Sequence, residues 1–294
     1  MSSKSNLGAI NELVDLLREQ AGKGDIDADK LAEITRDPLG WAEARVGFPF
    51  SQWQREYITG LMTKEHRRIA VVSPRQAGKS VSTAAAVALY SLLAPGKLSV
   101  VVSPTSRQSN LLHGKVRDLV EGFLVQSSQT SIELSNGSRV LSLPGDRPSG
   151  LRGIACSGIA VVDESSFARS SLILDVVTPM VAGQGDQGCL CLISTPNGNA
   201  GPFADIFNDR ADDSWHRVRV SLADCSHYDE AELEEQRARL GPVRFSQEFE
   251  GQFLAPQNSA FGADLDDLFG AFTPSPTQRD EVGDPDAPLS GFLQ

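Results

Sequence analysis

The sequence predicts an α/β protein in which a central, mostly parallel sheet is flanked by helices. Three observations carry this prediction. The runs at residues 69–73, 98–103, 158–163 and 189–194 have strand length and are almost continuously apolar, the pattern of strands covered on both faces. Segments of helical periodicity lie between them, as the crossovers of a parallel sheet require. The 294 residues are 40% hydrophobic and 22% charged, an ordinary globular composition with enough apolar material for a sizeable core.

Along the chain, residues 8–20 place Ile10, Leu13, Val14 and Leu17 at helical spacing behind Asn6 or Asn11, which predicts a short amphipathic helix. Residues 24–48 read as a polar connection followed by helical pieces around Leu31 and over residues 41–46. A helix over residues 53–63 precedes the first strand, which breaks into Pro74 and a loop. The helix over residues 79–94 is stopped by Pro95 and Gly96. After the second strand, a helix is expected from about Thr105 to Leu124, with Leu111, Leu112, Val116, Leu119, Val120 and Phe123 on one side. Asn136-Gly137 between two alternating runs predicts a hairpin. Residues 215–222 alternate as a further strand would, and residues 230–240 and 243–249 are predicted helices. From Ala255 the periodicity fails, and Pro256, Pro274, Pro276, Pro285 and Pro288 punctuate an acidic stretch. The expected organisation is a small helical extension (1–45), one α/β domain (46–254) and an acidic, Pro-rich linker or tail (255–294).

No window approaches the roughly 18 apolar residues of a membrane span, and the N-terminus has no apolar core of a secretory signal. A soluble, cytosolic protein without membrane contact is expected. The chain holds 27 Lys+Arg against 38 Asp+Glu, a net of −11, which at face value argues against a dedicated nucleic-acid binder. The acidity is concentrated in the flanks, however: residues 41–254 hold 21 basic and 23 acidic residues, so a local basic groove is permitted. Cys156, Cys189, Cys191 and Cys225 do not form a disulfide framework in a chain of this length. Cys189 and Cys191 fall on one face of a predicted strand as small core residues. Cys225 and His227 match no zinc spacing, and their segment reads as a loop.

Residues 73–80, Ser73-Pro74-Arg75-Gln76-Ala77-Gly78-Lys79-Ser80, fit the phosphate-loop pattern at their last three positions, with Ser73 where a first glycine is usual. That chemistry needs backbone N–H groups wrapped around phosphate oxygens at a helix N-terminus, a lysine for the β/γ charge and a hydroxyl for Mg²⁺; Gly78, Lys79 and Ser80 supply them. The apolar strand over residues 158–163 ends in the pair Asp163-Glu164. There an aspartate can hold Mg²⁺ through water and a glutamate can orient and deprotonate an attacking water. Helix capping by Asp163, Ser165 or Ser166 explains one polar residue but not a paired acid. Asp-Glu favours hydrolysis of a nucleoside triphosphate over transfer to an acceptor. Another apolar strand, residues 189–194, ends before Thr195-Pro196; the hydroxyls of Ser194 and Thr195 can reach a γ-phosphate, and a plain turn is the competing reading. This order of elements is that of a motor ATPase, a P-loop NTPase of the RecA-like (ASCE) kind.

Residues 48–54 (Phe48-Pro-Phe-Ser-Gln-Trp-Gln54), the Arg-Gln-x-Gly-Lys-Ser form of the loop, residues 100–105, Leu151-Arg-Gly153 before Val161-Val-Asp-Glu164, Ser194-Thr-Pro196 and residues 244–249 together resemble the large terminase subunit of tailed bacteriophages. The resemblance covers about residues 45–255. It implies a packaging motor that hydrolyses ATP with Mg²⁺, docks as a homo-oligomeric ring on a viral portal protein in the host cytoplasm, works with a small terminase subunit and drives double-stranded DNA into a procapsid. By position, Gln54 matches the residue that reads adenine, and Arg75 the loop arginine that senses or stabilises the γ-phosphate. Arg152, with Arg147 close by, is the candidate arginine finger acting across a subunit boundary. Large terminases usually continue into an RNase H-like nuclease. Here residues 261–269 carry Asp264, Asp266 and Asp267 without an apolar strand before them, so the motor half without nuclease activity is expected. The rivals are a two-lobe, superfamily 2-like helicase, for which the 98 residues after Pro196 are short, and a non-hydrolysing nucleotide-binding assembly protein, which could dispense with Glu164.

Overall fold

The structure is a computed structural model, and it describes residues 28–146, 148–184, 188–225 and 228–254. The predicted helix at 8–20, Arg147, His227 and the acidic tail with Asp264, Asp266 and Asp267 lie outside the described residues.

Helices α1 (Ala28–Arg36), α2 (Pro38–Val46) and α3 (Gln52–Thr63) lead to strand β1 (Arg68–Val72). Then follow α4 (Lys79–Leu93), β2 (Leu98–Ser103) and α5 (Ser106–Leu119), the strands β3 (Leu124–Ser127), β4 (Ser131–Leu134) and β5 (Arg139–Pro144), and β6 (Ile159–Asp163). A helical segment α6 runs through Ser170–Leu172, a π-turn at Ile173–Val177 and Thr178–Ala182. Strand β7 (Cys189–Ser194), α7 (Pro202–Asn208), β8 (His216–Arg219), α8 (Glu230–Leu240) and α9 (Pro242–Glu248) complete the order.

The eight strands form one sheet in the order β3-β4-β5-β2-β6-β7-β1-β8. From β5 to β8 all neighbours are parallel, and β3 and β4 are added antiparallel at one edge. The continuous apolar runs are explained by burial on two sides. Ile69, Val71, Val101, Val161, Cys191 and Ile193 face α2 to α5, whereas Ala70, Val72, Val100, Val162, Leu190 and Leu192 face α6 and α7. Successive residues point to opposite faces of a strand, so both sets must be apolar. Cys189 and Cys191 are core residues on one face, as expected.

Three predictions need correction. The helix expected to reach Leu124 ends at Leu119: a 3₁₀ turn spans Glu121–Phe123, and Leu124 opens a strand paired with β4. Gly122 weakens helix continuation, and pairing β3 with β4 satisfies the backbone instead. Leu111, placed on one side of α5 with Leu112 and Val116, is 61% exposed whereas Leu112 and Val116 are buried. The strand expected over residues 215–222 is confined to His216–Arg219, after which Leu222–Asp224 is a 3₁₀ turn. The structure also adds α6 and α7, which the sequence reading did not identify. The π-turn of α6 has a local cause. Pro179 lacks an N–H, and its ring clashes with a carbonyl four residues back, so the ladder widens just before it, and Thr178 Oγ1 donates to Ile173 O at 2.7 Å.

Candidate active site

Strand order brings the site together. β7 lies between β6 and β1, so the C-terminal ends of three parallel strands deliver Asp163, Ser194 and the loop after Val72 side by side. The loop is tied to β7 where Ser73 N donates to Ser194 O at 3.1 Å. Gln76 (φ 60°) and Gly78 (φ 92°) adopt left-handed conformations, which turn the loop back on itself before Lys79 opens α4. The N-terminal N–H groups of this 15-residue helix therefore face the loop, the arrangement that favours an anion. Ser80 lies half-buried in the first turn of α4.

Lys79 is buried, and its Nζ donates to Pro74 O at 3.3 Å and stands 3.7 Å from Glu164 Oε1. Glu164 has φ 51°, a left-handed conformation costly for a non-glycine residue, and this turns its carboxylate back across the strand ends. There Glu164 Oε2 accepts from Ser194 Oγ at 3.2 Å. Ser194 Oγ also lies 2.7 Å from Thr195 O. Asp163 is 4% exposed, and its Oδ1 is buried without a hydrogen-bond partner. Burial first, and the Glu164 charge second, push its carboxyl up to about 7 against an opposing pull from Lys79. Glu164 stands at the start of the 3₁₀ turn Ser165–Phe167, but its side chain makes no capping bond, and the Ser165 hydroxyl donates instead to Val162 O and Ile193 O.

Thus Lys79, Asp163, Glu164 and Ser194 converge, with Thr195 and Pro196 buried immediately beyond. Gln54 is buried at the start of α3 against the loop; a Cβ placed on Gly78 would lie 2.3 Å from its Nε2. The two arginines do not join the cluster. Arg75 is exposed, with Nη1 3.7 Å from Glu248 Oε2, and Arg152 is exposed after a 3₁₀ turn at Pro148–Leu151.

Sequence reasoning gave no role to the contacts that tie the loops after β1 and β7 to the C-terminal segment, although residues 244–249 entered the resemblance. Arg75 N donates to Glu248 O at 2.7 Å, the Tyr228 hydroxyl donates to Arg75 O, and Gly198 N donates to Gln247 Oε1 at 3.1 Å. It also passed over Ser103 at the end of β2. The register Val102↔Val162 sets Ser103 beside Asp163, and its buried hydroxyl has no partner.

A parallel sheet with a phosphate loop after β1 and an acid pair after β6, separated by one intervening strand, is the P-loop NTPase fold. Within that class the family described as "Terminase large subunit, T4likevirus-type, N-terminal" matches residues 71–265. The chain belongs to this large terminase subunit family. The terminase large subunit of Thermus virus P23-45 is 24% identical over 250 residues, covering 68% of this chain and 48% of that protein; the chain thus spans about half the length of the curated relatives it matches. Among solved structures, the large terminase ATPase domain of Thermus phage P74-26 superposes with a TM-score of 0.61 at 19% identity, covering 72% of this chain and 97% of that one. A large terminase of a thermophilic bacteriophage in complex with ADP gives a TM-score of 0.59 at 14% identity, over 70% of this chain and 54% of that one. At such identities these structures establish the fold.

Proposed function

We propose that this chain is the ATP-hydrolysing motor of viral genome packaging, which couples hydrolysis to translocation of double-stranded DNA into a procapsid. The observation that carries the reading is the convergence of Lys79, Asp163, Glu164 and Ser194 at the C-terminal ends of the central strands. Family membership, and a relative solved with ADP, support ATP as the nucleotide.

In this reading the backbone from Ser73 to Gly78 and the N-terminus of α4 cradle the phosphates, while Lys79 neutralises their charge. A magnesium ion fits the donors present. The orphaned Oδ1 of Asp163 is a buried acceptor in need of a cation, and the Ser80 hydroxyl has no partner among the described residues. Asp163, through water, and Ser80 would hold the ion, which when bound offsets charge on the phosphates. Glu164 orients the attacking water and takes its proton. Lys79 now pairs with Glu164; a phosphate arriving at Lys79 competes for that lysine and releases the glutamate to the water. In this reading Ser194, Thr195 and Pro196 pass loss of the γ-phosphate into movement of β7; the contacts of Ser194 with Glu164 and, through its carbonyl, with the loop support it. Arg75 serves the γ-phosphate once freed from Glu248, and Arg152 acts as a finger on the neighbouring subunit of a homo-oligomeric ring. The partners of this reading are duplex DNA, the portal protein and the small terminase subunit, in the host cytoplasm. No helix among the described residues is long and apolar enough to cross a membrane.

The test is ATP hydrolysis by the natural chain and by Glu164→Gln. A loss of about 100-fold or more is expected, with nucleotide binding retained and with the natural activity rising on addition of portal or double-stranded DNA rather than single strands. Hydrolysis unaltered by the substitution would sink the mechanism.

A further inference from the structure

Besides Asp163 Oδ1, a second buried polar atom at these strand ends has no hydrogen-bond partner among the described residues: the hydroxyl of Ser103, which closes β2. We infer that Ser103 is a positioning residue whose hydroxyl fixes the Asp163 carboxylate for the hydrated magnesium ion. The inference rests on the nucleotide-binding role proposed above and adds to it a residue that acts through Asp163 alone.

The placement follows from strand register. β2 and β6 are parallel neighbours, with Val100, Val101 and Val102 opposite Ala160, Val161 and Val162, so the next residues, Ser103 and Asp163, stand side by side. Paired residues share a face of the sheet and successive ones alternate. Val102 and Val162 face α6 and α7, whereas Val101 and Val161 face α2 to α5. Ser103 and Asp163 therefore turn with the second pair, toward the layer in which α4 carries Lys79 and Ser80. Neighbouring strands lie about 4.8 Å apart, within reach of a serine and an aspartate turned the same way. The Ser103 backbone is held in place, its carbonyl accepting from Gly145 N at 2.7 Å, and its side chain is fully buried.

Alanine would occupy this place without a hydroxyl that is costly to bury unpaired. Serine is explained by a bound state in which it has a partner. The other serines nearby are engaged: Ser194 Oγ with Glu164 Oε2 and Thr195 O, and the Ser165 hydroxyl with Val162 O and Ile193 O. An ionised carboxylate only accepts, and each of its oxygens has two lone pairs, whereas a serine hydroxyl has a proton to donate. Rotation of the Ser103 side chain lets it donate to Asp163 Oδ1, and the second lone pair of that oxygen stays open to water on the ion. Hydrogen bonds of this kind orient the group that holds a metal, and removing one typically lowers metal affinity by about 10–100-fold.

Manganese(II), a paramagnetic substitute for magnesium, tests this when titrated into the full chain with saturating ADP and followed by electron paramagnetic resonance. Ser103→Ala is expected to weaken manganese binding about tenfold, while ADP affinity measured in EDTA and stability in urea without ligand do not fall. Ser103→Thr, which keeps the hydroxyl, is expected to stay within about threefold of the natural chain. Unchanged manganese affinity in Ser103→Ala, an equal fall in ADP affinity without metal, or a fall as large in Ser103→Thr overturns the inference. Asp163→Asn separates the two levels. Natural manganese affinity in that variant refutes the cation role of Asp163 itself, and failure of the natural chain to bind ADP refutes the nucleotide role, whatever Ser103 does.

Discussion

Asp163 shows what one buried side chain costs the fold and why it is retained. Its carboxyl sits at about 7 in the folded protein against an ordinary value of 3.8, chiefly because burial penalises the charge. Between about pH 4 and 7 the folded state holds a proton there that the unfolded chain has released, so stability falls as pH rises through that window and the loss is complete above it. Each unit is worth about 1.4 kcal/mol at most. Asp163→Asn is therefore expected to flatten this part of the pH profile and to stabilise the nucleotide-free protein at pH 8 by about 2–4 kcal/mol. Urea denaturation of both proteins from pH 4 to 8 measures it, and a variant less stable at pH 8 contradicts the account. Such residues were legible in the sequence because chemistry fixes where they occur: an acid pair after an apolar strand, and Gly-Lys-Ser after another. The contacts of Glu248, Gln247 and Tyr228 were not, although residues 244–249 enter the family resemblance. These residues are ordinary surface types on distant segments, and only tertiary packing brings them to Arg75 and Gly198.

At the scale of elements, strands and helices with strong periodicity stood out, and those whose shape is set by partners did not. Buried β1, β2, β6 and β7 follow directly from uninterrupted apolar runs. Strand β3 has only polar or exposed residues after Leu124 and exists through pairing with β4. The amphipathic signal of α6 is blurred by the π-turn that Pro179 imposes. The short helix α9 is the element with the most direct functional consequence, since it holds the backbone of Arg75 and, through the Glu248 carboxylate, also its guanidinium. The arginine side of that pair is 65% exposed, so the pair adds less than about 1 kcal/mol to stability. Its effect is on availability: while Glu248 holds Arg75, a phosphate must compete for it. Glu248→Gln is expected to leave stability within about 0.5 kcal/mol and to tighten nucleotide binding about threefold, a gain that Arg75→Ala removes. Equilibrium titration of single and double variants measures this coupling, and equal gains with and without Arg75 would show that the competition is absent.

For the whole molecule, strand order turns separate sequence motifs into one site. The motifs gave the class of sheet, but the placement of β7 between β6 and β1 depends on crossovers no local pattern encodes. That placement makes Ser194 the bridge between the acid pair and the loop. Charge is distributed at the same scale. The chain carries −11 overall, while residues 41–254 hold 21 basic and 23 acidic residues, and several of those bases are already engaged. Arg55 pairs with Glu43, Lys79 with Glu164, Arg117 with Asp118, and Arg237 with Glu234 and Glu250. A nearly neutral body with several of its cations already paired has little net positive charge to set against many phosphates at once. Association with duplex DNA, in the motor role proposed, must then rest on few contacts, as suits a protein that releases and regrips its track. Each phosphate neutralised contributes about −0.9 to the slope of log K against log salt concentration. A slope between about −1 and −3 is therefore expected when the full chain is titrated with double-stranded DNA at increasing salt. A slope steeper than about −5 would mean that a concentrated basic surface engages the backbone, and the transient-grip account would fall.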